Sequence, residues 1–214
     1  MSSQVRGGTR WKRFALVMVP SVAATAAVGI GLAQGALAAS FSVSGQEFKV
    51  KATELEGWDF VQYGSVASGK TLEGKDMHAP VAVSGFSKAN ITNMCQSVVT
   101  PKVPGIGTVT LRLEAGGGGT PVKAKSLYLD VSQLDADAEF RNIDIGVAAG
   151  SLPKSEGKPG IQPNTQANPY GFSQRAEKAL LKNVKQKAWA TTAGTFNLSG
   201  LKLRLSTGTD QECY

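Results

Sequence analysis

A single histidine, His78, occurs in the chain, within the string GKDMHAP. A hydrolase of the Ser-His-Asp type would have to use it, because an imidazole must take the hydroxyl proton. No G-x-S-x-G nucleophile elbow accompanies it. The nearest strings, GFSKA around Ser87 and GFSQR around Ser173, each lack the second glycine. His78 is therefore a weak catalytic candidate, and an exposed loop histidine is the commoner role for such a residue. Carboxylates gather in LDVSQLDADAEFRNID, which holds Asp130, Asp135, Asp137, Glu139 and Asp144. Paired acids can serve glycoside hydrolysis or calcium binding. On an alternating strand, however, Asp135, Asp137 and Glu139 share a face opposite Ala136, Ala138 and Phe140. That is the pattern of a solvated face, and the spacing does not match an EF-hand loop. A basic group, Arg175, Lys178, Lys182, Lys185 and Lys187, could meet anionic lipid or wall polymer; a solvated face is the ordinary alternative. Two cysteines and one histidine do not make a metal-ligand cluster, and no cofactor motif is present.

The N-terminus says where such residues would work. MSSQVRGGTRWKRF carries Arg6, Arg10, Lys12 and Arg13 without an acid, and an uncharged apolar run follows it, ending in Ala36-Leu37-Ala38. A basic start, an apolar stretch and a small-x-small site read as a secretory signal peptide cut after Ala38. An uncut anchor crossing the membrane through residues 14–37 is the alternative. Either reading exports the remainder, residues 39–214, as one domain that is secreted or held at the cell surface. The formal charge of +7 comes from 23 Lys+Arg against 16 Asp+Glu. Four of those cations lie before residue 39 and no acid does, so the exported part carries 19 − 16 = +3. A nucleic-acid partner loses its main support.

Export also gives the cysteines a meaning. Disulfides persist outside the cytoplasm. Cys95 and Cys213 can form one intrachain bond; two buried thiols or an intermolecular bond are the alternatives. Closing so long a loop would stabilise the fold by roughly 4–5 kcal/mol on the chain-entropy account.

The elements that must position these groups are strands. TVTLRLE sets Val109, Leu111 and Leu113 against Thr108, Thr110, Arg112 and Glu114. SLYLDV, EFRNIDIGV and TFNLSGLKLRL alternate in the same way, the last placing Leu201, Leu203 and Leu205 on one face. These are half-buried strands with one wet face, and their mid-strand glycines suggest bulges. SQRAEKALLKNVKQKAW can be read as helix or strand. The segment 150–172, rich in proline and glycine, is longer than most connections, and such loops are usually functional or mobile. A faint repeat aligns KANITNMCQ from Lys88 with KALLKNVKQ from Lys178, and a second echo links FSVSG at Phe41, VAVSG at Val81 and FNLSG at Phe196. The fold class that follows is all-β, an antiparallel β-sandwich or open barrel behind an N-terminal signal or anchor helix.

The strings TRWKRFALVMVPSVAATAA, LAQGALAASFSVSG, FVQYGSV, CQSVVTP, TLRLEAGGGGTPV, NIDIGVAAG and QKAWATTAGTFNLSGL, with a terminal ECY, resemble an actinobacterial family of exported proteins. The resemblance covers nearly the whole chain, and Cys95 and Cys213 match the family's pattern. That family has no established function, although members often carry the label "cholesterol esterase". The label implies a lipid-ester hydrolase, but the family lends no catalytic residue to this sequence. With no catalytic motif in hand, the expected role is a non-enzymatic binder of an apolar or polymeric ligand, such as lipid or cell-wall polymer, or of an envelope protein. A lipid-ester hydrolase and a structural surface protein are the alternatives.

Overall fold

A computed structural model of the chain describes residues 43–153, 157–163 and 165–214. The expected targeting segment 1–38 and the FSVSG string at Phe41 lie wholly or partly outside the described residues. Nine strands follow one another: β1 (Val43–Ser44), β2 (Phe48–Lys70), β3 (Asp76–Thr92), β4 (Met94–Val103), β5 (Gly107–Ala115), β6 (Val122–Ala148), β7 (Phe172–Thr192), β8 (Thr195–Asn197) and β9 (Lys202–Thr207). The fold is all-β, and a single 3-10 turn at Ala149–Ser151 is its one helical element among the described residues.

The four long strands close on themselves. β2 pairs with β3, β3 with β6, β6 with β7 and β7 with β2, every pair antiparallel. Between the sandwich and the barrel, the barrel is what forms. A small sheet extends from the first turn of β2, in the order β4, β5, β9, while β8 caps the start of β6.

Strands of this length close a four-membered ring only by bending. The bends fall at residues with left-handed backbone: Asp59, Asn93, Ser126, Asn142 and Asn183, with φ between 49° and 55°. Asn and Asp tolerate that region better than other side chains do, and a residue inserted there sharpens the local twist and turns the strand. Of the mid-strand glycines expected as bulges, Gly146, with φ 87°, lies at a register shift between Ile145 and Val147, and Gly200, with φ 66°, lies in the turn before β9. Two other strand glycines serve packing. Gly85 has ordinary φ, and a Cβ on it would lie 2.9 Å from both the Tyr128 ring and Val61. Gly57 likewise makes room for the Phe86 ring, which a Cβ would meet at 2.2 Å.

The segment left open between helix and strand is β7. Its buried positions run 173, 176, 179, 181, 184, 186, 188 and 190. The spacings of three from 173 to 179 and from 181 to 184, the last across Asn183, imitate a helical face. The faint repeat is structural. Lys88 and Lys178 both pair with Trp58, Ala89 and Ala179 with Gly57, Ile91 and Leu181 with Leu55, and Gln96 and Gln186 with Val50. Asn93 and Asn183 take left-handed backbone at the same height on the two flanks of β2, without a register shift against it. The second echo joins unlike places, since Val81 lies within β3 and Phe196 in β8.

Inside the ring Phe60 stacks between Phe86 and Phe140, with centroids 5.4 and 5.1 Å away. Val122, Leu127 and Ala179 around them are fully buried. On the outer face Val61, Tyr63, Val81 and Val83 form a second apolar cluster. The long connection after β6 covers it, laying Leu152, Ile161 and Ala167 on the strands. The Gln162 amide donates to the Tyr63 hydroxyl at 2.7 Å, so the described part of this loop is a packed cover.

The C-terminal tail folds back over β4 and β5. Cys213 is bonded to Cys95, its amide donates to Ser97 Oγ at 3.1 Å, and the Tyr214 hydroxyl donates to the Gln186 carbonyl at 2.9 Å. Lys49 meets Glu212 at 2.7 Å and stands over the Tyr214 ring.

If the left-handed bulges hold the ring, Asn183→Val should destabilise the protein by about 1–2 kcal/mol, the cost of left-handed backbone for an ordinary side chain. Asn183→Gly should stay close to wild type. Urea unfolding of both variants measures the difference.

Candidate functional site

His78 lies on β3, where the sequence suggested a loop, and it is exposed as expected. Its cross-strand partner is Ser68 on β2, and Ser68 Oγ stands 3.0 Å from His78 Nδ1. In a catalytic triad the serine faces Nε2, and a carboxylate holds Nδ1. Here Nδ1 faces the serine. The neighbouring acid, Asp76, is engaged by Lys70 at 2.6 Å. The serines of the two near-elbow strings are occupied elsewhere: Ser87 donates to Asp59 at 2.6 Å, and Ser173 to the Val147 carbonyl at 2.9 Å.

The carboxylates divide. Asp135, Asp137 and Glu139 form the expected solvated face. Asp137 accepts from Asn183 at 2.8 Å and Glu139 from Arg141 at 3.2 Å. Asp144 pairs with Arg175 at 2.8 Å. Asp130 departs from this pattern. It is 8% exposed, and its side chain has no hydrogen-bond partner among the described residues. It lies on the outer face between the inward Leu129 and Val131, beside Val83 and Ala190 of the covered outer cluster. Burial raises its pKa above the usual aspartate value. The nearby Tyr63 hydroxyl is pushed up to about 12, chiefly by burial. No group of three or more His, Cys, Asp or Glu that could hold a metal ion occurs among the described residues.

The basic group does not form one free patch. Arg175 is tied to Asp144, and Lys178 bridges to Glu56 and stands 5.3 Å from the Trp58 ring centroid. Lys185 stands over the Tyr214 ring. The surface that sequence reasoning missed is on β9. Leu201, Leu203 and Leu205 were expected on a half-buried face, yet they are 49%, 57% and 69% exposed. β9 is the outermost strand, and the C-terminal tail covers the opposite side of its sheet, through Thr110 to Gly208 and Arg112 to Gln211. The bare face continues inward through Leu111 and Leu113, paired with Leu205 and Leu203, and Leu113 packs on the barrel core. The strands β4, β5 and β9 carry Lys102, Arg112, Lys202 and Arg204 against one acid, Glu114, and Glu114 is bound to Arg112 at 2.6 Å.

Three hollows complete the inventory of interest. A slot of about 230 Å³ lies inside the ring beneath β6, lined by Phe60, Gln62, Ser84, Leu134, Phe140 and Gln186 among others. A wider polar pit of about 500 Å³ lies between Asp59, Asp144, Lys158 and Arg175. Further along the ring the apolar interior is filled, with about 20 Å³ left between Val50, Leu127 and Phe196. Neither Ser68 nor His78 lines any of these.

Residues 44–214 match the profile of a family of unknown function (DUF6230). No curated protein and no solved structure matches the chain.

The burial of Asp130 gives a pH test. Its folded pKa is raised, so the folded state bears a cost while the group is ionised. That cost fades as pH falls through the raised folded pKa and is gone below the unfolded value. Asp130→Asn should therefore raise the melting temperature at neutral pH, and the gain should vanish below the ordinary aspartate range. Thermal unfolding across that pH span measures it.

Proposed function

The chain belongs to this family of unknown function, and we propose that it is an exported, non-enzymatic protein of the cell envelope that docks on an anionic lipid surface. The observation that carries this reading is the bare leucine face of β9, continuous with the core and borne on a sheet with three cations in excess of its pairs. Exposed apolar areas of this kind mark interaction surfaces. Aliphatic side chains inserted beneath a headgroup layer suit a lipid surface, and Lys202 and Arg204, exposed on the other face of the same edge strand, add attraction to anionic headgroups. A second copy of the chain fits less well: two β9 edges paired antiparallel would bring Lys202 and Arg204 against their own kind. The actinobacterial origin that the sequence resemblance implies accords with an envelope role.

Co-sedimentation with vesicles of phosphatidylglycerol and phosphatidylcholine tests the proposal. The exported chain should bind the anionic vesicles and release them as salt rises, with little binding to pure phosphatidylcholine. Leu203→Ser with Leu205→Ser should weaken binding at least ten-fold, since each buried leucine contributes about 1.5–3 kcal/mol. No binding to either vesicle, or a dimer that the leucine substitutions dissociate, would sink it.

The Ser68–His78 contact favours a second reading, the lipid-ester hydrolase of the "cholesterol esterase" label. Turnover of acyl esters abolished by either His78→Ala or Ser68→Ala would select it; unchanged or absent turnover would leave the docking reading in place.

A further inference from the structure

The slot beneath β6 is lined by two polar side chains with hydrogen-bonding capacity to spare, Gln186 and Ser84. Gln186 is 5% exposed, and its side-chain amide has no hydrogen-bond partner among the described residues. Its backbone carbonyl is taken by Tyr214, which fixes the strand while leaving the side chain free. Ser84, 4% exposed, accepts from Gln62 at 3.0 Å, and Gln62 in turn accepts from Gln174 at 2.6 Å. That chain of amides ends at Ser84 with a hydroxyl proton still to donate. The Gln186 amide is open to whatever fills the slot and is not sealed off, since among the described residues the one buried side-chain polar atom without a partner is Ser65 Oγ. Both groups line the slot, opposite a wall of Phe60, Phe86, Leu129 and Phe140.

The lining holds no charged residue. A carboxylate or ammonium entering it would lose hydration with nothing to replace it. The volume is about 230 Å³, against roughly 150 Å³ for a cavity that takes benzene. One ring with a short substituent, or a short alkyl chain, fits; a four-ring sterol does not. The way in passes the small side chains Ala136 and Ala138, which are exposed, and Leu134, which is 39% exposed.

We infer that this slot is a binding site for a small uncharged molecule with an apolar body and one hydrogen-bonding group, an alcohol or a carbonyl, which Gln186 and Ser84 receive. The site is separate from the leucine face, and its fate does not depend on the docking proposal.

Benzyl alcohol, toluene and benzoate distinguish the elements of this inference. They would be titrated into the isotope-labelled exported chain and followed by NMR. Benzyl alcohol should move the Gln186 side-chain amide resonances and bind about five-fold tighter than toluene, the gain from one neutral hydrogen bond. Benzoate should leave the slot unperturbed. Gln186→Leu should erase the preference for the alcohol while toluene still binds. Ala138→Phe, at an exposed position that a larger side chain does not unfold, should block both and carries the test if Gln186→Leu fails to fold. The inference is overturned if benzyl alcohol leaves Gln186 unmoved, if benzoate binds as well as the alcohol, or if binding survives Ala138→Phe undiminished.

Discussion

Four antiparallel strands make a very narrow ring, and strands of 17 to 27 residues must bend sharply to close it. The left-handed residues at Asp59, Asn93, Ser126, Asn142 and Asn183 meet that constraint. Each bulge moves the following side chains to the other face of the strand. Two apolar clusters follow from this on one set of strands. β2 sends Leu55 and Phe60 inward, and past the bulge at Asp59 sends Val61 and Tyr63 outward. The outward set then needs a cover, which the connection around Leu152 and Ile161 supplies. The slot beneath β6 has the same origin: after the register shifts near Val131, β6 leaves β3 and runs along β7 alone.

β2 is the spine. Its two neighbours present the same residues to it at the same heights, so that Lys88 and Lys178 sit on either side of Trp58 with their ammonium groups 4.4 and 5.3 Å from its ring centroid. The duplication ends where β4 leaves for the small sheet. There Cys95 stands at the position that Lys185 holds on the other flank, both opposite Lys51. The disulfide thus departs from the repeated pattern at the place where the tail must attach.

Much of this was legible in the residues. Clean alternation in TVTLRLE gives β5 correctly, because no bulge interrupts it. The cysteine pair needed only arithmetic and the expectation of export, and Cys95 is bonded to Cys213. β7 resisted, because a bulge makes a strand count like a helix, and asparagine announces a bulge far less loudly than glycine. Asp130 was grouped with the solvated acids, since nothing in its own string tells that the outer face beside Val83 and Ala190 is apolar and covered. The leucines of β9 were read as half buried because alternation tells which residues share a face, not whether anything lies against it. Gln186 gave no signal at all: a lone glutamine between lysines looks like surface until the pairing places it inside.

The order in which the chain is made has a consequence for the ring. β7 borders both β2 and β6, yet it is the last of the long strands to be synthesised. Until it arrives, β2 and β6 wait with an edge unpaired. Two of the ring's pairings, β2 with β3 and β6 with β7, join consecutive strands, but closure needs β3 with β6 and β2 with β7, which lie far apart in sequence, and such topologies fold slowly. Bare strand edges during that wait favour wrong partners, so the nascent chain gains from a chaperone while it is unfolded. On the proposed export, the chain would have to stay open until it is across, and a topology whose ring closes last is suited to that.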